Sequence, residues 1–334
     1  MENNFWNKLD QPFFCMAPME DVTDIAFRQM FAKYSSNFVT YTEFISADGL
    51  ALAPEEGKKQ LLSKLRFEEN ERPIVAQIFS AKPENIEKAA RMVADLGFDG
   101  VDINMGCPDK SVEKQGAGSA LIKTPELARE IIRAAKKGVG KESNHLIPVS
   151  IKTRIGYNDV SLEWIDTVLA EEPAALTVHL RTRKELSDYP AHWELMPEIL
   201  KLRNKISPET LIIGNGDVKS LEDAKEKVEK YGLPAGQVGC DGVMIGRGLF
   251  GKPSFFNSEA GLHCSEEDRL KMLLEHIELF NKYLLKPKFK GYHVMKKHFK
   301  AYIGGWCGAK ELRIKLMDTN TLQEAQEIIK DYLV

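Results

Sequence analysis

The chain has 334 residues, 43% hydrophobic and 28% charged, a balance that suits a soluble globular protein with room for a sizeable core. Its formal net charge of −3, taken whole, does not announce a nucleic-acid binder, and no uninterrupted apolar run approaches the ~20 residues needed to span a bilayer. The segment Met1–Phe14 carries Glu2, Lys8 and Asp10 and lacks the apolar stretch of a signal peptide, so the protein is expected in the cytoplasm with no membrane partner.

In chain order, short β-rich runs are expected at Phe13–Pro18, Phe38–Phe44, Pro73–Phe79, Gly100–Gly106, Ile147–Arg154, Ala175–Arg181, Leu211–Asp217 and Gly242–Gly248. Several are almost continuously apolar, as strands covered on both faces must be. Helical patterns separate them. Pro83–Leu96 opens on Pro and stops at Gly97, Pro125–Lys137 stops at Gly138, and Ser220–Tyr231 stops at Gly232. Strands alternating with helices over this length predict a (β/α)8 barrel. An open doubly wound sheet would show a GxGxxG turn after its first strand, and Ala17-Pro18-Met19 stands there instead.

After Phe256 the strand signals stop. Ser265-Glu266-Glu267-Asp268 reads as a helix start, and helical patterns follow at Glu266–Leu285, His293–Ile303 and Thr321–Tyr332. The expected division is a barrel over 1–257 and a small all-helical domain over 258–334, joined near Asn257–His263. From Lys282 to Lys310 there is no Asp or Glu, while Lys286, Lys288, Lys290, Lys296, Lys297 and Lys300 fall there with His293 and His298. That is a basic region on an acidic chain, and Lys296, Lys297 and Lys300 are its candidate phosphate contacts.

A barrel of this class works at the C-terminal ends of its strands. Those ends hold Pro18 and Met19, Thr42 and Glu43, Gln77, Asn104 with Cys107, Lys152 with Arg154, His179 with Arg181, Asn215-Gly216-Asp217, and Gly246-Arg247-Gly248. The last two are glycine-rich and suit a phosphate, with Arg247 adding charge. Lys152 ends an apolar strand and calls for an anion, either as a Schiff-base lysine or facing the pyrimidine edge of a flavin. Cys107, on a Gly-Pro loop, is a candidate nucleophile or acid. The five cysteines, Cys15, Cys107, Cys240, Cys264 and Cys307, are scattered without a CxxC pair, and no second ligand stands near His179 at metal spacing, so neither a disulfide framework nor a metal is expected.

The ordered set Ala17-Pro18-Met19-Glu20-Asp21-Val22-Thr23-Asp24, Asp102-Ile103-Asn104-Met105-Gly106-Cys107-Pro108, Gly116-Ala117-Gly118-Ser119, Lys152-Thr153-Arg154-Ile155-Gly156, His179-Leu180-Arg181-Thr182-Arg183, Asn215-Gly216-Asp217 and Gly242–Gly248 resembles the FMN-dependent tRNA-dihydrouridine synthases. The resemblance implies that Pro18, Met19 and Glu20 border the flavin ring, and that Gln77, Lys152 and His179 contact its polar atoms. It further implies that Asn215, Gly216, Asp217, Gly246 and Arg247 hold the ribityl-phosphate end, and that Cys107 donates a proton to the uracil. Asn104 and Arg154 are implied at the base or flavin edge. NADPH is the implied reductant, tRNA the implied partner with the basic helical region as its seat, and no obligate protein partner is evident. Ser187-Asp188-Tyr189-Pro190-Ala191-His192-Trp193 departs from the family's usual run after the sixth strand. A barrel enzyme reducing a free pyrimidine and a catalytically dead RNA-binding barrel are the competing readings.

Overall fold

Eight parallel strands pair in chain order and close on themselves: β1 (Phe13–Met16), β2 (Phe38–Ser46), β3 (Ile74–Phe79), β4 (Gly100–Met105), β5 (Val149–Arg154), β6 (Ala175–His179), β7 (Leu211–Asn215) and β8 (Gly242–Ile245), with β8 returning to β1. This is the (β/α)8 barrel expected from the sequence, seen in a computed structural model that describes residues 4–140, 146–233, 239–257 and 264–333. Glu2 and most of the Asn257–His263 junction lie outside the described residues.

Alternation along the strands explains the interior. In β4, Val101, Ile103 and Met105 belong to the apolar layer between strands and helices, while Asp102 and Asn104 stand on the other face. In β5, Val149 and Ile151 join that same layer, and Ser150, Lys152 and Arg154 alternate with it. The barrel interior is therefore apolar at its N-terminal end, where Trp6, Phe13, Cys15, Val39, Tyr41 and Val75 pack together, and polar towards its C-terminal mouth. Hydropathy alone overstates the strands as uniformly apolar.

The strands also stop earlier than expected at five C-terminal ends. Pro18, Gly106, Arg181 and Asp217 belong to the loops that follow β1, β4, β6 and β7, and Gly248 to the 3-10 turn Arg247–Leu249 after β8. The expected helix stops fare differently from one another. The helix Pro83–Asp95 ends before Gly97, whose φ of 81° is the left-handed conformation of a terminating glycine. Gly138 instead lies inside its helix, Pro125–Gly138. A Cβ there would sit 2.3 Å from the Glu87 carbonyl oxygen, so this glycine lets the two helices approach rather than ending one.

The chain after the barrel is helical: Glu266–Phe280 continued by a π-turn Asn281–Leu285, then Lys296–Tyr302, Ala309–Asp318 and Leu322–Leu333. Ser265 and Asp268 form a reciprocal capping box at the first of these, as the Ser-Glu-Glu-Asp start requires. The helices share an apolar cluster, including Leu273, Ile277, Phe299, Leu316 and Ile329, that also takes in Ile25 and Ala26 of the barrel helix Ile25–Tyr34. Lys33 Nζ and Tyr34 Oη reach Glu275 at 2.6 and 2.7 Å across the same contact.

Candidate active site

A cavity of about 980 Å³ opens at the C-terminal mouth of the barrel. Pro18 and Met19 after β1, Lys152 and Arg154 of β5, His179 of β6, Asn215, Gly216 and Asp217 at β7, and Gly246 and Arg247 after β8 all line it. With Arg181 after β6 and Gly248 after β8, twelve of the residues singled out from sequence thus converge on one cavity. Glu20, Gln77, Asn104 and Cys107 are not among the lining residues, although Pro108, next to Cys107, is.

Gln77 and Asn104 do something else first. Gln77 Nε2 donates to Asp102 at 2.7 Å, and its Oε1 accepts from Asn104 Nδ2 at 3.0 Å. Asn104 Oδ1 in turn accepts the backbone N–H groups of Gly106 and Cys107, at 3.1 and 2.9 Å. Asp102 is buried, also accepts from Ser150 at 2.7 Å, and burial lifts its carboxyl to about 6. This chain of bonds fixes the loop that carries Cys107 from inside the barrel. Sequence reasoning passes over Asp102, though its two-residue spacing from Asn104 on one strand is the available signal. The Cys107 thiol is half-buried beside Phe79, Val112 and Ala117, and burial pushes its pKa up, so it keeps its proton at neutral pH.

Lys152 Nζ donates to Asn215 Oδ1 at 3.2 Å. Burial, then repulsion from Arg154, brings its ammonium down to about 8. Arg154 is spent on structure: its Nε holds the Gly106 carbonyl at 2.8 Å, and Nη1 holds those of Thr182 and Leu186 at 2.9 and 3.1 Å, joining the loops after β4 and β6. His179 is pushed well below its ordinary pKa by burial and then by Lys152, Arg154, Arg181 and Arg247, and stands neutral.

At the glycine-rich end, Asp217 Oδ1 lies 3.4 Å from Arg247 Nη2. Asp217 thus holds both the loop, through the Ala191 N–H, and the Arg247 cation. Gly216, at φ 131°, is required: a Cβ would meet that of Ala191 at 2.7 Å. Glu20 pairs with Lys64 outside the cavity. Glu20, Asp21 and Glu43 bring carboxylate oxygens close enough to share a cation, and Lys290 Nζ is there already, 2.7 Å from Glu43 and 3.2 Å from Asp21.

The basic segment is therefore only partly a surface. Lys290 is committed to Asp21, Asp24 and Glu43, and His298 is buried. Lys296 Nζ donates to the Met317 carbonyl at 2.8 Å. Lys297 is half-exposed, 4.0 Å from Asp21, and Lys286, Lys288 and Lys300 are exposed. In the divergent loop after β6, His192 bridges Glu185 and Glu194 at 2.7 and 2.9 Å, which raises its pKa.

A (β/α)8 barrel whose mouth gathers a lysine, arginines, a neutral imidazole and a protonated thiol beside one large cavity is the architecture of a barrel enzyme for an anionic ligand. Comparison with known proteins makes the class specific. The model of the dihydrouridine synthase family matches residues 15–333. A probable tRNA-dihydrouridine synthase 2 of Bacillus subtilis (strain 168) is 42% identical over 99% of this chain and 97% of its own length. Probable tRNA-dihydrouridine synthases of Staphylococcus aureus (strain COL) and Staphylococcus epidermidis (strain RP62A) are each 42% identical over 99% of the chain, covering 96% and 97% of those proteins. The chain belongs to the dihydrouridine synthase family, and it is an oxidoreductase.

Proposed function

We propose that this enzyme reduces the C5=C6 bond of specific uridines in tRNA to 5,6-dihydrouridine, with FMN in the barrel mouth and NADPH as reductant. The observation that carries the reading is the pairing of a flavin-sized cationic cavity with a loop-borne cysteine that burial keeps protonated at its edge. The residues present fit FMN. Lys152 and the neutral His179 offer donors for the polar edge of a flavin, Asn215 orients Lys152, and the loop Gly246–Arg247 with Gly216 offers backbone N–H groups and a cation for the phosphate. Bound there, FMN supplies the hydride for C6 of the uracil.

The chain supplies the rest. The Cys107 thiol holds a proton for C5, and the Asn104–Gln77–Asp102 bonds keep its loop in place. Arg154, by tying that loop to the one after β6, shapes the entrance through which a base must come after leaving its stack, a step costing a few kcal/mol. Contacts to the tRNA body offset that cost, and Lys297 and Lys300, with Lys296 behind them, are their proposed source. We assign the barrel to 1–257, the RNA-facing helical unit to 258–334, and the protein to the cytoplasm, where tRNA is.

The purified protein should release FMN on denaturation, be reduced by NADPH, and convert uridine in unmodified tRNA to dihydrouridine, with Lys152→Ala lowering flavin retention. Release of FAD, or reduction of free uracil in preference to tRNA, would refute the proposal.

A further inference from the structure

Arg181 is visible in the sequence as a strand-end residue and has no part in the roles above. It follows β6, only 2% of it is exposed, and it lines the cavity. Its three nitrogens go to three different elements. Nη1 is 3.2 Å from His179 Nε2, Nη2 is 2.5 Å from Asp217 Oδ2, and Nε is 2.5 Å from the Tyr189 carbonyl oxygen. We propose that Arg181 is a positioning residue of the cofactor pocket, setting the tautomer of His179 at one end and, through Asp217, anchoring Arg247 at the other. The proposal rests on the reading that FMN fills this cavity.

A guanidinium has only donors and does not deprotonate in proteins. His179 Nε2 must therefore be the acceptor in its contact with Arg181, and the ring proton of the neutral imidazole is on Nδ1. Exchanging the tautomer would set N–H against N–H, and flipping the ring would put Cε1–H where the acceptor must be. The neighbouring cations, Lys152, Arg154, Arg181 and Arg247, all oppose a second proton on the ring. His179 is thus held as a donor of fixed direction rather than a free acid.

The other arm reaches the phosphate end. Asp217 Oδ2 takes both Arg181 and the Ala191 N–H, the latter at 2.9 Å, and its Oδ1 faces Arg247. Asp217 itself has a left-handed backbone, φ 50°, directly after Gly216, a conformation that needs holding. The Arg247 side chain is 64% exposed and Asp217 is its one ion-pair partner among the described residues. Without Arg181, the carboxylate loses its buried countercharge and Arg247 loses its fixed anchor. Tyr189 and Ala191 belong to the loop whose sequence departs from the family's usual run, so this loop is fastened to the pocket through the same two side chains.

Two measurements test this. In protein labelled with nitrogen-15 in histidine, the His179 signals, assigned with His179→Gln, should show a proton on Nδ1 and a bare Nε2 across the neutral pH range. Arg181→Met should lose that pattern and mix the tautomers. A wild-type ring carrying its proton on Nε2 overturns the proposal, and so does an unchanged pattern in the variant. FMN affinity of the apo-protein, read by flavin fluorescence, should fall about tenfold or more for Arg181→Met and for Arg247→Met, as expected for removing a charge-assisted hydrogen bond. The double variant should be little weaker than the worse single one, because both remove the same anchored cation. Additive losses would mean that Arg181 grips FMN directly, which contradicts a positioning role. Wild-type apo-protein that binds no FMN would sink the cofactor reading, while the histidine spectra would still decide on Arg181.

Discussion

Cys107 illustrates how a single side chain can be kept protonated by burial rather than set by a charged partner, as the role proposed for it requires. Nucleophilic cysteines are made acidic by nearby cations. This one lies against Phe79 and Val112, and burial outweighs the pull of Arg154 and Lys152. It should react slowly with iodoacetamide at neutral pH, and Cys107→Ala should keep FMN and its reduction by NADPH while losing roughly 10²- to 10⁴-fold in dihydrouridine formation, the usual effect of removing a positioned acid. Assays of flavin reduction and of tRNA product on the same preparation check this; a variant that modifies tRNA at the wild-type rate would remove Cys107 from the mechanism. Cys15 is a different case. It is buried within β1 with no access to the cavity, and burial raises its pKa as well, so Cys15→Ala should alter stability alone.

At the scale of elements, the contact between the barrel helix Ile25–Tyr34 and the helices after the barrel is built around two buried imidazoles. His276 and His298 lie 4.6 Å apart between ring centroids, next to Phe27, and neither ring has a hydrogen-bond partner among the described residues. Burial brings His276 down to about 4, against the opposing pull of Asp24. Between about pH 6.5 and 4 the unfolded chain therefore binds a proton that the folded one does not, and stability falls as pH falls through this window by on the order of 3 kcal/mol from His276. Asp102, raised to about 6, acts in the opposite direction and is present in any His276 variant, so it cancels in a comparison. His276→Phe should lose less stability than the wild type between about pH 7 and 5 in urea titrations, and parallel curves for the two proteins would contradict this account. The alternation of strands and helices, the barrel and the capped start at Ser265 are all legible in the sequence, because they depend on local periodicity and capping. The helix Ala309–Asp318 is not, because it lacks a side-chain cap and follows glycines. Gly138 reads as a terminator because its real cause, the neighbouring helix at Glu87, is remote in sequence. In the site, the residues at the mouth can be read from position along each strand. That Gln77 and Asn104 support the Cys107 loop, and that Lys290 is committed to carboxylates of the barrel, depends on contacts between distant segments that no spacing reveals.

For the whole molecule, the distribution of charge matters more than its sum. The cations of the mouth stand on a chain of net charge −3, and the exposed Lys282, Lys286, Lys288, Lys300 and Lys310 fall in a stretch without Asp or Glu. Among the described residues no helix is long and apolar enough to cross a membrane. Lys297→Glu with Lys300→Glu should weaken tRNA binding and flatten its dependence on salt by roughly two units of log–log slope, about 0.9 for each phosphate no longer neutralised, while flavin content stays unchanged. Affinity across a salt series checks this, and an unaltered slope would move the RNA surface elsewhere. Lys296 is left in place in that variant because it holds the Met317 carbonyl. The central claim, that this barrel puts dihydrouridine into tRNA, is tested most directly by mapping dihydrouridine in tRNA from cells with the gene deleted and from the same cells carrying the wild-type or the Cys107→Ala copy. The account predicts that particular dihydrouridines vanish on deletion, return with the wild type and stay absent with Cys107→Ala; an unchanged dihydrouridine map after deletion, in cells with no second synthase acting at those positions, would contradict it.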